Sequence, residues 1–85
     1  MYYIYILKSI KNGFIYVGST ENVENRLFRH NSGKIKSTKA YKPWELVETK
    51  SFNTRSEAVK EEIFLKTGQQ KELLRKKYVS IVNTA

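Results

Sequence analysis

The chain has 85 residues, no cysteine and a single histidine, His30. This excludes a disulfide framework, a thiolate metal site and a His-rich zinc site. It leaves room for one domain, 1–85, which can bury only roughly 60–65% of its unfolded surface. Sixteen Lys and Arg against eight Asp and Glu give a net charge of +8, which points to a polyanionic partner, DNA or RNA before an anionic membrane surface.

The opening MYYIYILK is apolar, but its run of about seven residues is too short for a signal peptide or a membrane span. A soluble, cytoplasmic protein is expected. Residues 2–7 (YYIYIL) are aromatic and β-branched, which favours a strand. Asn12-Gly13 is a strong hairpin signal because both residues tolerate positive φ, and FIYVG (14–18) reads as the returning strand. With the loop centred on Asn12-Gly13, Tyr5 is set opposite Thr20 and Leu7 opposite Gly18. One face then carries Tyr3, Tyr5, Leu7, Phe14, Tyr16 and Gly18. The other carries Tyr2, Ile4, Ile6, Ile15 and Val17 and is nearly all hydrocarbon.

Ser19, Thr20, Glu21 and Asn22 offer N-caps for a helix over VENRLFRHN (23–31). Its apolar stripe is Val23, Leu27 and Phe28, and Gly33 stops it. Residues 29–43 (RHNSGKIKSTKAYKP) hold Arg29, Lys34, Lys36, Lys39 and Lys42 and no acid; residues 31–43 read as a basic loop. WELVETKSF (44–52) reads as a third strand, with Trp44, Leu46 and Glu48 on one face and Val47 on the other. Thr54 and Glu57 form a capping box that opens a second helix, running to about Thr67 and stopped by Gly68. Residues 69–82 give a third helix with Leu73, Leu74, Tyr78 and Ile81 at helical spacing. The order β-β-α-β-α-α implies an α+β fold, a small three-stranded antiparallel sheet flanked by helices.

Three features could carry chemistry. On the second helix, at about 100° per residue, Glu62 falls inside the apolar arc of Leu65, Ala58, Val59 and Ile63. A carboxylate there must be paired or bind a cation. It is either a core-edge Glu paired with Lys or Arg, or a ligand for Mg²⁺ or Mn²⁺. Arg26 and His30 are one helical turn apart, forming either a solvated basic face or a phosphate contact. Tyr5 and Tyr16 share a face, as plain aromatic core or as two hydroxyls forming a polar site.

Tyr3-Ile4-Tyr5, Tyr16-Val17-Gly18, Arg26, His30 and Glu62, in that order, resemble the GIY-YIG endonuclease superfamily, especially its small stand-alone bacterial members. The stretches YYIYIL, FIYVGST, NRLFRHNSGK, STKAYKPWELV and TRSEAVKEE cover nearly the whole chain. The first-motif Gly is replaced by Tyr3, and Glu61 stands where a basic residue is common. The resemblance implies metal-dependent hydrolysis of a DNA phosphodiester. Glu62 would hold Mg²⁺ (or Mn²⁺), and Tyr16 would position or deprotonate the attacking water. Tyr5 would orient the water or Tyr16. Arg26 would stabilise phosphorane-like charge, and His30 would orient a tyrosine or contact phosphate. Gly18 would end the strand and let the backbone turn sharply into the first helix. Lys34, Lys36, Lys39 and Lys42 are a candidate backbone clamp by charge alone. The expected partner is DNA, branched and damaged forms included and RNA left open, with no membrane, for a monomer or weak homodimer. The alternative is a nucleic-acid-binding module with little or no catalysis on the same basic surface. A third class, a domain that meets an acidic protein partner, would bind no nucleic acid.

Overall fold

A computed structural model describes residues 1–82, with side chains described through Tyr78; Ile81, expected in the core, lies outside the described side chains. The elements are β1 (Tyr2–Ser9), β2 (Ile15–Thr20), α1 (Val23–Asn31), β3 (Trp44–Phe52), α2 (Arg55–Leu65) and α3 (Gly68–Val82). The sheet is antiparallel with β1 in the centre, in the order β2-β1-β3. The expected α+β architecture is the observed one. A single 3₁₀ turn, Lys39–Tyr41, interrupts the basic loop.

The hairpin register is two residues away from the expected one. Tyr5 pairs with Gly18 and Leu7 with Tyr16. The turn is gathered by Ser9, whose Oγ accepts from the amides of Lys11 and Asn12, both at 3.2 Å. Gly13, at φ +78°, closes the loop rather than occupying its centre. A shift of two preserves the alternation of faces, so the expected sets survive. Ile4, Ile6, Ile15 and Val17 are buried on one face with Ala58 of α2 and Leu74 and Tyr78 of α3. Each such aliphatic side chain contributes about 1.5–3 kcal/mol by leaving water. Tyr5 and Leu7 are buried on the other face with Trp44, and Tyr16, Val23, Leu27 and Tyr41 pack around them. The helices therefore divide between faces, α1 on the aromatic side and α2 with α3 on the aliphatic side.

On β3, Glu48 pairs with Ile6 but Leu46 pairs with Leu7. Val47 is the extra residue of a bulge, which reverses the expected side of Glu48. Glu48 lies on the aliphatic face, where it accepts hydrogen bonds from the Tyr78 hydroxyl and from Lys77 Nζ at 3.3 Å. The Tyr78 bond, before the Lys77 contacts, holds its carboxyl below the usual range despite partial burial. Buried Lys8 donates to the Tyr78 carbonyl at 3.0 Å and ties β1 to α3.

Asn22 caps α1, its side chain accepting from the Asn25 amide; Ser19 and Thr20 belong to β2 instead. The Thr54–Glu57 capping box of α2 is formed as expected. That helix ends at Leu65, earlier than the expected Thr67, and Gly68 begins α3 rather than only stopping α2.

Candidate active site

Gly18 does not end its strand. β2 continues to Thr20, and no positive φ is found at Gly18. Its missing side chain serves a neighbour instead. A Cβ on Gly18 would stand 2.5 Å from the Tyr5 hydroxyl oxygen and 2.6 Å from Cζ. Glycine thus lets the Tyr5 ring lie flat across β2, where it is 1% exposed.

The Tyr5 hydroxyl points at His30. Its oxygen is 3.0 Å from His30 Nε2, and His30 Nδ1 is 2.7 Å from Thr38 Oγ1. The Thr38 hydroxyl also faces the Ile35 carbonyl at 3.4 Å. This network assigns the tautomer: Nδ1–H donates to Thr38, and Nε2 accepts from Tyr5. His30 is fully buried, not part of a solvated face. Burial, then the charges of Arg26 and Arg29, lower its pKa to about 4. Burial, then neighbouring Tyr16, push the Tyr5 phenol well above the ordinary tyrosine range, with Arg26 opposing. Tyr5 therefore stays protonated and acts as a donor.

The neutral histidine links stability to pH. Between roughly pH 6.5 and pH 4 the unfolded chain binds a proton at His30 and the folded chain does not. Stability then rises with pH and falls on acidification. From about pH 7 to pH 5 the expected loss is about 2 kcal/mol. Urea unfolding at several pH values should show this slope in the wild type and a flatter one in His30→Gln, which cannot titrate.

Thr38 is brought under His30 by anchors on the basic loop. The Asn31 side chain receives the Trp44 amide at 2.5 Å and donates to the Trp44 carbonyl at 2.9 Å. Trp44 Nε1 donates to the Thr38 carbonyl at 3.0 Å, and Ser9 Oγ donates to the Tyr41 carbonyl at 2.5 Å. The loop is pinned beside the site, while Lys34, Lys36, Lys39 and Lys42 stay exposed on it. None of the four forms an ion pair among the described residues.

Tyr16 completes the aromatic group. Its ring centroid is 4.9 Å from that of His30, edge to face, and 6.1 Å from that of Tyr5. Unlike Tyr5, it is only partly buried. Glu62 arrives from α2, along the β2 edge of the sheet. Its Oε1 accepts from Ser19 Oγ at 2.6 Å and its Oε2 from Lys66 Nζ at 2.8 Å. The Lys66 ammonium also lies 5.6 Å from the Tyr16 ring centroid, so one cation joins the carboxylate to the second tyrosine. Partial burial would raise the Glu62 pKa. The bonds from Lys66 and Ser19, and the charges of Lys66 and Arg26, outweigh it and hold the carboxyl below its usual value. Arg26 is the electrostatic centre: its charge acts on Tyr5, His30 and Glu62 alike. Tyr5, Tyr16 and His30 are in contact, Arg26 acts on that group by charge, and Glu62 is linked to it through Lys66 and the charge of Arg26.

The protein-family model of the GIY-YIG catalytic domain matches residues 1–78. The chain belongs to the GIY-YIG family. A UPF0213 protein of Staphylococcus saprophyticus is 43% identical over 74 residues, spanning 85% of this chain and 89% of that protein. A UPF0213 protein of Bacillus pumilus is 40% identical over 72 residues, spanning 84% and 72% respectively. The solution NMR structure of UPF0213 protein BH0048 from Bacillus halodurans aligns with TM-score 0.52 at 36% identity, covering 92% of this chain and 86% of that one. GIY-YIG is a nuclease-type domain, and membership confirms the resemblance read from the motifs.

Three residues around the GIY-YIG motifs were not read as part of the site. Ser19 reads as a helix cap, Thr38 falls in the family stretch STKAYKPWELV without an assigned role, and Lys66 is assigned none. Lys66 has a legible signal, a Glu four residues before a Lys on one helix.

Proposed function

We propose that the protein hydrolyses phosphodiester bonds in DNA with a divalent cation. The observation that supports this reading is the Tyr5–Tyr16–His30 group, with Arg26 acting on it by charge and Lys66 linking it to the Glu62 carboxylate. The exposed lysines of the pinned loop extend positive charge alongside, suited to the sugar–phosphate backbone.

Among the described residues no group of three or more His, Asp or Glu side chains could cage a metal. Mg²⁺ does not need one: it commonly takes one or two carboxylates, with substrate phosphate and water supplying the rest. The hard oxygens of Glu62, already facing the Lys66 ammonium, fit that donor set. Glu62 would hold Mg²⁺ (or Mn²⁺) against a phosphate oxygen, where the cation supplies charge stabilisation. Tyr16, the more accessible phenol, orients or deprotonates the attacking water. Tyr5, its proton kept by burial and directed into His30, fixes the position of the aromatic group. Arg26 offsets the negative charge that develops on the phosphate.

Arg26→Ala is expected to slow cleavage by about 10²–10³-fold with only a modest loss of stability, that of its hydrogen bond to Tyr5 and its attraction to Glu62. Single-turnover rates on labelled DNA, paired with thermal melts, check both halves. The broader test is a screen of branched and linear DNA with Mg²⁺ and Mn²⁺. A second reading, a binding module without turnover, is favoured by one detail: both Glu62 oxygens are engaged by protein donors. Salt-dependent DNA binding with no product under any metal would select it.

A further inference from the structure

A cleft of about 240 Å³ adjoins the site on the Ser19 side; its walls include Ser19, Thr20, Glu21, Arg26, Arg55 and Ala58. Two arginines line it, Arg26 from α1 and Arg55 from the first position of α2. Among the described residues four basic side chains are paired with acids: Lys50 with Glu61, Lys66 with Glu62, Arg75 with Glu72 and Lys77 with Glu48. Neither cleft arginine forms an ion pair among the described residues, although Glu21 lines the same wall. Two like charges beside one cleft repel each other, and an anion between them reverses that cost. Arg26 is also attracted to Glu62, so Arg55 is the cleft charge with no acid paired to it among the described residues. A guanidinium fork suits phosphate oxygens, which accept two parallel hydrogen bonds. Ser19 connects the cleft to the cleavage site, since its hydroxyl is bonded to Glu62.

We propose that this cleft is a second phosphate subsite, in which Arg55 grips a backbone phosphate adjoining the one attacked beside Glu62 and Tyr16. The subsite rests on the nuclease reading, and Arg55 acts in it as a binding and positioning residue. It sets which stretch of the strand lies in the site, and it does not touch the reacting bond.

The test is binding of a short fluorescein-labelled DNA duplex to full-length protein in the Glu62→Gln background, which prevents turnover, over a range of salt. Lys60→Gln, an exposed charge on the same helix with no ion pair among the described residues, serves as the matched control. Arg55→Gln is expected to weaken binding about tenfold at low salt and to lower the log–log salt slope by about 0.9. Lys60→Gln should do neither. Arg55→Lys should recover the slope but only part of the affinity, because the fork is lost. Equal effects of Arg55→Gln and Lys60→Gln would overturn the subsite. In the otherwise native protein, Arg55→Gln should raise KM about tenfold with kcat unchanged, and an unchanged KM would also overturn it. If the native protein shows no turnover, the nuclease reading fails separately, and the binding comparison alone decides the subsite.

Discussion

Gly18→Ala is expected to destabilise the protein by about 1–3 kcal/mol and to lower Tm by roughly 10 °C. Alanine at an ordinary strand position usually costs little, and φ at Gly18 is not in the left-handed region. The cost comes from volume. The new methyl would sit 2.5 Å from the Tyr5 hydroxyl oxygen, and Cζ and Cε1 are also within 2.9 Å. The ring cannot swing away freely, because Tyr5 is packed with Leu7 and Trp44 and bonded to His30. The partner substitution makes the cause testable. In Tyr5→Ala the obstructing ring is gone, so adding Gly18→Ala should cost little more, a coupling visible in a double-mutant cycle of melts. A Gly18→Ala variant as stable as wild type would mean that the close approach does not exist.

Glu62→Gln is expected to act in the opposite way, with a large effect on chemistry and a small one on stability. The amide can still accept from Ser19. What is lost is an exposed i,i+4 pair with Lys66, in which Lys66 is 43% exposed, worth about 0.5 kcal/mol at most. The melting temperature should therefore barely move. Cleavage should fall by about 10³-fold or more, because in the proposed function Glu62 holds the cation and losing several kcal/mol of cation-borne stabilisation is a factor of that size. Binding of Mn²⁺, followed by its paramagnetic effect on water relaxation in the presence of DNA, should fall in parallel. Unchanged Mn²⁺ binding in this variant would remove Glu62 from the metal.

What could be read beforehand followed from periodicity and turn chemistry. Alternation along β1 and β2 assigned both faces correctly, because even the misplaced register preserved parity. The exact partner of Tyr5 was not legible: the turn was set by the Ser9 side chain, and no propensity reports which amides a hydroxyl will gather. The expected strand end at Gly18 is not found; the missing side chain leaves room for the Tyr5 ring instead. Glu62 was legible because a carboxylate in an apolar arc demands a partner. The pairing reading is the one the structure carries, since Glu62 is bonded to Lys66 and Ser19; its place as a cation ligand belongs to the proposed function. Thr38 was not legible, because its place under His30 depends on Asn31 and Trp44 pinning a loop whose composition suggested no fixed shape. The bulge at Val47, which turned Glu48 to the other face, likewise has no single-residue signal.

The most direct measurement compares wild type and Glu62→Gln, prepared side by side, for cleavage of labelled branched and linear DNA with and without Mg²⁺. Product from the wild type only, and only with the metal, is the predicted result. Equal product from both proteins, or DNA bound by the wild type without any product, would contradict it.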